Sequence, residues 1–179
     1  PLFLIVLLIL VLFIIWRINA RKYISAGTVA SAYDAWTQDK LLERLWGEHI
    51  HLGFYPSGKK NIDFRKAKVQ FVHELVKWSG LDKLPKGSRI LDVGCGIGGS
   101  SRILAKYYGF NVTGITISPA QVKRARELTP IGLNCNFQVM DALNLKFEDG
   151  SFDAVWSVEA GAHMNDKTRF ADEMLRTLR

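Results

Sequence analysis

Strands and helices alternate from Arg89 onward, and this alternation constrains the fold more than any other feature of the chain. The stretches "RILDVG", "NVTGIT", "NCNFQVM" and "SFDAVWSV" read as strands. The stretches "GSSRILAKYYG", "SPAQVKRARELT" and "NDKTRFADEMLRTLR" read as helices, the first ended by Gly109 and the second begun by Ser118 as its cap and Pro119 at its first position. Strands joined by helices of this length form parallel sheets with right-handed crossovers. We therefore predict an α/β fold with a doubly wound, mostly parallel sheet. Because the pattern of strands and helices stops in a helix, we expect this sequence to lack the last strands of such a sheet.

A glycine-rich loop, residues 94–99, follows the first predicted strand. In open α/β sheets, ligands bind beyond the carboxyl ends of the strands, and glycine lets the backbone approach a ligand closely. Gly94, Gly96 and Gly99 fit the G-x-G-x-x-G pattern of dinucleotide sites. Such a site also needs an acid about 20 residues later to hold the ribose. The sequence there reads "GITIS" and contains no acid, which argues against a dinucleotide.

An acid on the strand supports a different ligand. Asp92 precedes Gly94 by two residues and gives D-x-G-x-G-x-G, which resembles the pattern of class I methyltransferases that use S-adenosylmethionine on a Rossmann-like fold. That cofactor carries an ammonium group and no phosphate, so a carboxylate can bind its positive end or simply order the loop. Asp141 follows the third strand, where the same class contacts the adenine amino group. The alternative role for Asp141 is that of a turn residue.

The amino end is distinct from the rest of the chain. Residues 1–16, "PLFLIVLLILVLFIIW", are uninterrupted apolar residues, and Arg17, Arg21 and Lys22 follow. Sixteen helical residues reach about 24 Å, slightly short of the ~30 Å hydrocarbon core. A core helix would show a polar face, and a signal peptide would carry its charges before the apolar run. We predict a membrane anchor, with the following domain on the cytoplasmic or stromal-type side.

The remaining chain divides into a linker, a helical region and a catalytic domain. Residues 25–49 read as helical with a start at Ser25 or Thr28, "LGFYPSGKKN" reads as a loop, and "DFRKAKVQFVHELVKWSGL" reads as a helix stopped by Gly80. The predicted boundaries are an anchor over 1–16, a juxtamembrane linker over 17–30, a helical cap or lid over 31–86 and a cofactor-binding domain over 87–179.

Charge and cysteine content narrow the partners. The formal charge of +7 suits an anionic membrane surface or nucleic acid, but the Lys and Arg residues are scattered and no nucleic-acid motif appears. We therefore expect no nucleic-acid partner. Cys95 and Cys135 have neither zinc-site nor disulfide-framework spacing. We expect no metal and a reducing compartment.

Several longer stretches resemble the tocopherol-pathway methyltransferases. They are the glycine-loop region, "FQVMDAL", "DGSFDAVWSVEAGAHMNDK" and "AYDAWTQDKLLERLWGEHIHLGFY", and the resemblance runs from about residue 28 onward. The combination of "WGEHIHLGFY" with "EAGAH" is similar to the branch that acts on 2-methyl-6-phytyl-1,4-benzoquinol. The resemblance implies methyl transfer from S-adenosylmethionine to a ring carbon of a lipophilic prenylquinol. Alternatives are a γ-tocopherol, sterol or other lipid methyltransferase, or a membrane-anchored module that binds the cofactor without catalysis.

The same resemblance implies roles for individual residues. Cofactor contacts fall on Asp92, Gly94, Cys95, Gly96 and Gly98, on Thr116, Ile117 and Gln121, on Asp141 and Ala142, and on the lid residues His51, Leu52 and Tyr55. The uncharged Thr116 and Gln121 would bond the ribose hydroxyls in place of the missing acid, and ordinary packing is the alternative for Tyr55.

Two residues beyond the fourth strand are candidate bases. Glu159 and His163 are four residues apart, which is one helical turn if the segment is helical, and either could accept a phenolic proton. Alternatively, Glu159 shapes the cofactor pocket and His163 is structural. Ala162 stands where many relatives carry an acid, which leaves a base role for that position in doubt.

Overall fold

The computed structural model describes residues 2–19, 26–57 and 61–179. The helices are α1 Leu2–Asn19, α2 Ala26–Gln38, α3 Leu41–Trp46, α4 Phe64–Ser79, α5 Gly99–Tyr108, α6 Pro119–Leu128 and α7 Lys167–Thr177. The strands are β1 Arg89–Val93, β2 Asn111–Thr116, β3 Cys135–Val139 and β4 Ala154–Trp156.

The four strands form one parallel sheet in the order β3-β2-β1-β4. Successive β1 residues point to opposite faces: Ile90 joins a core with α4 and α5, whereas Leu91 joins a core with Phe170 of α7. Helices therefore cover both faces, which confirms the predicted doubly wound α/β fold. Because β2 and β4 lie on opposite sides of β1, a crevice opens at the carboxyl ends of β1 and β4, where such folds bind ligands.

Local sequence signals set several helix ends as predicted. Ser118 precedes α6 and its hydroxyl accepts a hydrogen bond from the backbone N–H of Gln121, while Pro119 occupies the first helical position. Gly80 ends α4 and Gly109 ends α5, both with a φ of 74°.

Other boundaries differ from the prediction. The single helix predicted over residues 25–49 is broken into α2 and α3, and Lys40 adopts a left-handed φ of 56° at the break. The predicted linker over 17–30 is partly helical, because α1 continues to Asn19 and α2 begins at Ala26. Ser25 lies outside the described residues, and Thr28 lies inside α2. The strand β4 is shorter than predicted because its pairing with β1 ends at Trp156.

Helix α1 is apolar on all sides. The side chains of residues 5–12 are each 42–61% exposed. Among the described residues, no helix combines the length and the apolar character needed to cross a membrane. The membrane anchor expected over residues 1–16 stays a prediction.

The cap, residues 26–57, is fastened to the sheet domain by carboxylates. Asp34 Oδ1 accepts hydrogen bonds from the Ser118 hydroxyl at 2.5 Å and from the backbone N–H of Ala120 at 3.0 Å. Both oxygens of Glu43 accept from the Arg124 guanidinium, at 2.8 and 2.6 Å. Paired contacts of this kind fix direction as well as distance, so the cap is held over the carboxyl edge of the sheet.

A third carboxylate of the cap reaches the glycine loop. Glu48 accepts from Arg102 Nη2 at 2.5 Å, and Arg102 Nη1 donates to the carbonyl of Ile97 inside that loop at 2.8 Å. Arg102 is 8% exposed, whereas the Glu48 side chain is 47% exposed, so solvent screens this contact from the cap side. The cap and the glycine loop are thereby linked through one side chain.

Candidate active site

A cavity occupies the crevice at the carboxyl edge of the sheet. The loops that follow β1, β2, β3 and β4 all contribute to its walls, and helix α2 together with residues 47–51 of the cap covers it. A ligand in this cavity would therefore touch all four strand ends and the cap.

The described lining of this cavity is acidic. Five carboxylates line it, and none of the described lining residues is Lys or Arg. Glu43 and Glu48 are already paired with arginines from outside, which leaves Asp92, Asp141 and Glu159 facing the cavity without an arginine or lysine among their described hydrogen-bond partners. Such a lining favours a cationic ligand over a diphosphate. It therefore suits a sulfonium and ammonium cofactor better than a dinucleotide.

Asp92 lies at the bottom of the cavity and is 2% exposed. Its Oδ2 accepts a hydrogen bond from the Ser101 hydroxyl at 2.6 Å, which ties the end of β1 to the first turn of α5. Burial raises the pKa of Asp92 to about 6, and the hydrogen bonds from Ser101 oppose that rise only in part. The sequence left two roles open for Asp92, ordering the glycine loop or binding the positive end of the cofactor. The structure is compatible with both, because Asp92 bonds to Ser101 and also lines the cavity.

The glycines of the loop have different structural roles. Gly94 packs against the Ala160 methyl, and an added Cβ would lie 2.4 Å from it. An added Cβ at Gly96 would meet only open space, so the backbone there is exposed to a ligand. Gly98 is a correction to the predicted cofactor contacts: it lies outside the lining, and its Cβ would lie 2.6 Å from the Phe137 ring.

Gly99 is a lining residue that sequence reasoning missed. An added Cβ would lie 2.8 Å from the backbone oxygen of Glu48 and 2.8 Å from His49. The missing side chain lets the cap backbone sit directly on the start of α5. The G-x-G-x-x-G pattern includes this position, but the approach of a cap segment 51 residues earlier in the chain carries no local signal.

The segments after β2 and β3 lie in the lining as predicted. The Thr116 hydroxyl donates to Gln121 Oε1 at 2.6 Å, so the two expected ribose contacts are bonded to each other. Ile117 and Ala142 also line the cavity. Asp141 Oδ1 accepts from the backbone N–H of Leu143 at 2.9 Å, so it acts as a turn residue while it faces the cavity.

Cys95 and two histidines complete the walls near the cap. Cys95 is buried, and burial raises the pKa of its thiol well above the usual value. Burial lowers the pKa of His49 to about 3 and also lowers the pKa of His51. Neutral His51 donates from Nδ1 to the carbonyl of Leu52 at 2.8 Å, so its Nε2 accepts from His49 Nδ1 at 3.0 Å.

Two predicted lid contacts do not reach the cavity. The Leu52 side chain is 75% exposed and Tyr55 is 53% exposed, and neither lines the cavity. The reason is that the cap segment turns outward after His51, where the backbone N–H of Leu52 donates to Glu159 Oε1 at 3.0 Å. Leu52 therefore acts through its backbone only.

Both candidate bases face the cavity, but they are not on one helical turn. Glu159 has a left-handed φ of 57°, and His163 ends a short 3₁₀ helix over Gly161–His163. His163 Nε2 lies 2.9 Å from the hydroxyl of Tyr33 on α2, and the two rings pack edge to face. Burial raises the pKa of Tyr33. Sequence reasoning missed Tyr33, because its partner lies 130 residues away.

Metal ligation has no support in the described part of the chain. There, no group of three or more His, Cys, Asp or Glu side chains is placed to hold an ion.

The sequence pattern of the methyltransferase domain family matches residues 90–179. The chain is 60% identical over 165 residues to 2-methyl-6-phytyl-1,4-hydroquinone methyltransferase of Synechocystis sp., covering 92% of this chain and 52% of that protein. It is 42% identical over 146 residues to the chloroplastic tocopherol O-methyltransferase of Arabidopsis thaliana, covering 76% of this chain and 42% of that protein.

Solved structures share the fold. The [4+2]-cyclase SpnF superimposes with a TM-score of 0.75 at 28% identity, over 87% of this chain and 57% of that one. A putative sarcosine dimethylglycine methyltransferase from Galdieria sulphuraria gives 0.73 at 30% identity, over 82% and 56%.

The chain therefore belongs to the methyltransferase domain family, and it spans about half the length of the curated relatives it matches. This membership decides against the dinucleotide reading of the glycine loop.

The different surroundings of two glycines predict different effects of the same substitution. Gly96→Ala should cost about 1 kcal/mol of unfolding free energy, because only the left-handed backbone resists the methyl group. Gly98→Ala should cost about 1–3 kcal/mol more, because the methyl group also collides with Phe137. Denaturant unfolding measures both, and equal costs would contradict the assignment of Gly98 to packing.

The raised pKa of Asp92 predicts a pH dependence of stability. The folded state holds this proton more tightly than the unfolded chain, so the stabilisation is present at about pH 4 and is lost as pH rises through about 6. Asp92→Asn, which keeps an acceptor for Ser101, should remove this slope. The stability difference between wild type and variant should change by about 3 kcal/mol between about pH 4 and pH 7. A pH-independent difference would show that Asp92 titrates normally.

Proposed function

We propose that this chain forms part of an S-adenosylmethionine-dependent enzyme that methylates a ring carbon of 2-methyl-6-phytyl-1,4-benzoquinol or a close prenyl analogue. One observation carries the proposal: a single cavity combines carboxylates suited to a cationic cofactor with two candidate proton acceptors beyond β4. The Synechocystis relative, named for the corresponding hydroquinone, supports the substrate class.

The cofactor side of the cavity fits the group that the family implies. Asp92 and Asp141 would hold its positively charged and adenine ends, and the open face of Gly96 would lie against its chain. When bound, S-adenosylmethionine supplies an activated methyl group on a sulfonium with a thioether leaving group. The protein must then align the ring carbon with that methyl group and exclude water.

The substrate side supplies a proton acceptor. Loss of a phenolic proton to Glu159 or His163 would make the ring carbon next to the hydroxyl more nucleophilic. After that carbon has taken the methyl group, it would release its own hydrogen as a proton, which restores the aromatic ring, and the phenol oxygen would be reprotonated. The Tyr33 hydroxyl, 2.9 Å from His163 Nε2, orients the imidazole before substrate binds, and a substrate hydroxyl would then take over that hydrogen bond. The Leu52 N–H donates to Glu159 Oε1 and orients the carboxylate, so Oε2 is the oxygen that would accept the proton.

Two alternatives have specific support. The Arabidopsis relative, named a tocopherol O-methyltransferase, favours a tocopherol as substrate. The likeness to a [4+2]-cyclase shows that this fold also carries other reactions, which keeps open a protein that binds the cofactor without transferring its methyl group. Product analysis separates all three.

The reaction proposal predicts a defined product and defined losses of rate. The full-length protein, with isotope-labelled S-adenosylmethionine and a panel of prenylquinols and tocopherols, should give a ring-methylated quinol by mass spectrometry. Single-turnover assays at saturating cofactor compare His163→Ala with Glu159→Gln. The variant that removes the residue acting as base should lose about 10²–10⁴-fold in rate. Raising the pH should recover part of that loss, because the phenol then ionises without help.

Matched variants separate a base from a positioning group. Tyr33→Phe keeps the ring packing against His163 and removes only the hydroxyl, so it should lower the rate much less than His163→Ala. Near-normal rates in both His163→Ala and Glu159→Gln would leave orientation as the main catalytic effect. A product methylated on oxygen would overturn the reaction class.

We also propose that the apolar amino end places the enzyme at a membrane, on its cytoplasmic or stromal-type side. The exposed apolar surface of residues 5–12 and the sequence positions of Arg17, Arg21 and Lys22 support this placement. A prenyl chain is itself lipid-soluble, so an enzyme at the bilayer lies where its substrate is.

Membrane attachment predicts the outcome of fractionation. The full-length protein should sediment with membranes, and deletion of residues 1–16 should sharply reduce the sedimented fraction while cofactor binding persists, because the cavity is built from later residues. Recovery of the undeleted protein in the soluble fraction would refute the attachment.

A further inference from the structure

The cap and the start of helix α4 carry a set of large, half-exposed apolar side chains. We name it the cap patch, and its members are 37–54% exposed: Leu45, Trp46, Ile50, Phe54, Tyr55 and Phe64. Ordinary surfaces expose such residues singly, and a cluster of this size marks an interaction surface.

Two contacts between elements join parts of the cap patch. The rings of Trp46 on α3 and Phe64 on α4 lie 6.3 Å apart. The backbone N–H of Phe54 donates to the carbonyl of Ala67 at 2.9 Å, which holds the outgoing cap segment along α4. Ile50 belongs to both the patch and the cavity lining. The patch therefore runs from the outer surface to the cavity.

Cations border this patch. Arg44, Arg65 and Lys66 are exposed beside it, and the Arg65 guanidinium lies 5.5 Å from the Phe64 ring centre. Glu43 and Glu48 bind Arg124 and Arg102, and the one exposed carboxylate beside Phe64 in the described chain, Asp63, accepts from the backbone N–H groups of Arg65 and Lys66. Aromatic and aliphatic side chains with a basic border are the composition that binds the headgroup region of anionic bilayers.

We propose that the cap patch docks on an anionic lipid bilayer and opens the cavity toward it, so that a lipid-soluble substrate enters past Ile50. The identity of the entering substrate rests on the proposed function. The docking of the cap patch on a bilayer does not depend on that function. A second copy of the chain fits the patch less well, because two patches with basic borders would repel each other on a chain of net charge +7.

The experiment places a fluorophore on the patch of the full-length protein. A nitrobenzoxadiazole label is attached at Tyr55→Cys, and in a separate control at Ile131→Cys, which is fully exposed before β3 at the opposite edge of the sheet. Native Cys95 is buried and Cys135 half-buried, and unsubstituted protein taken through the same reaction gives the background. Vesicles of phosphatidylcholine, with and without phosphatidylglycerol, are then added.

Docking predicts that vesicles containing phosphatidylglycerol brighten and blue-shift the label at position 55, and that a quencher carried on the lipid tails quenches it. The label at position 131 should respond to neither. Equal responses at both positions, or none at position 55, would overturn the proposal, since attachment through α1 alone brings both labels near lipid without inserting either. A concentration-dependent change at position 55 without lipid would instead assign the patch to a second copy.

Activity supplies an independent arm. Leu45→Glu/Tyr55→Glu should lose methylation of a prenylquinol embedded in vesicles by about tenfold or more, yet methylate a water-soluble, short-tailed quinol normally. The control Trp78→Glu/Ile131→Glu makes the same charge change on exposed residues near the other edge of the sheet and should lose neither. Equal loss on both substrates would contradict lipid entry. Absence of methylation in wild type would refute the proposed function and leave the label result to stand alone.

Discussion

The site depends on the hydrogen bond between Asp92 and Ser101. Asp92 ends the central strand, at the point where the sheet order reverses between β1 and β4, and it is nearly inaccessible to water. Its bond to Ser101 at 2.6 Å fixes the glycine loop against the start of α5. A buried carboxylate whose pKa is raised to about 6 gains most from a cationic ligand, so the group that orders the loop also defines what the cavity can hold.

Two ion pairs fasten the cap over the cavity. Arg102 binds both Glu48 in the cap and the carbonyl of Ile97 in the glycine loop. Arg124 holds Glu43 in the same manner. Because these arginines neutralise cap carboxylates from outside, the interior keeps its acidic character without a lysine or arginine among the described lining residues. Cap closure therefore rests on the paired Glu43 and Glu48, whereas cofactor preference rests on Asp92, Asp141 and Glu159.

Local signals in the sequence predicted the sheet, the caps at Ser118, Gly80 and Gly109, and the segments that face the cavity after each strand. The errors lie where distant segments meet. Gly98 fits the glycine motif but packs on Phe137, and Tyr55 fits the lid motif but points outward. The pairing of Tyr33 with His163 depends on how the cap docks on the sheet, and no periodicity or motif encodes that contact.

Calorimetric titration of the full-length protein tests the central claim, an acidic cavity built for a cationic cofactor and not for a diphosphate. S-adenosylmethionine or its demethylated product should bind at neutral pH, Asp92→Asn should weaken that binding, and NAD should give no comparable heat. The affinity of wild type should fall as pH drops below about 6, by up to about tenfold per unit, because the ionised carboxylate is what binds the cation. NAD binding of similar strength, or affinity unchanged by pH and by Asp92→Asn, would contradict the account.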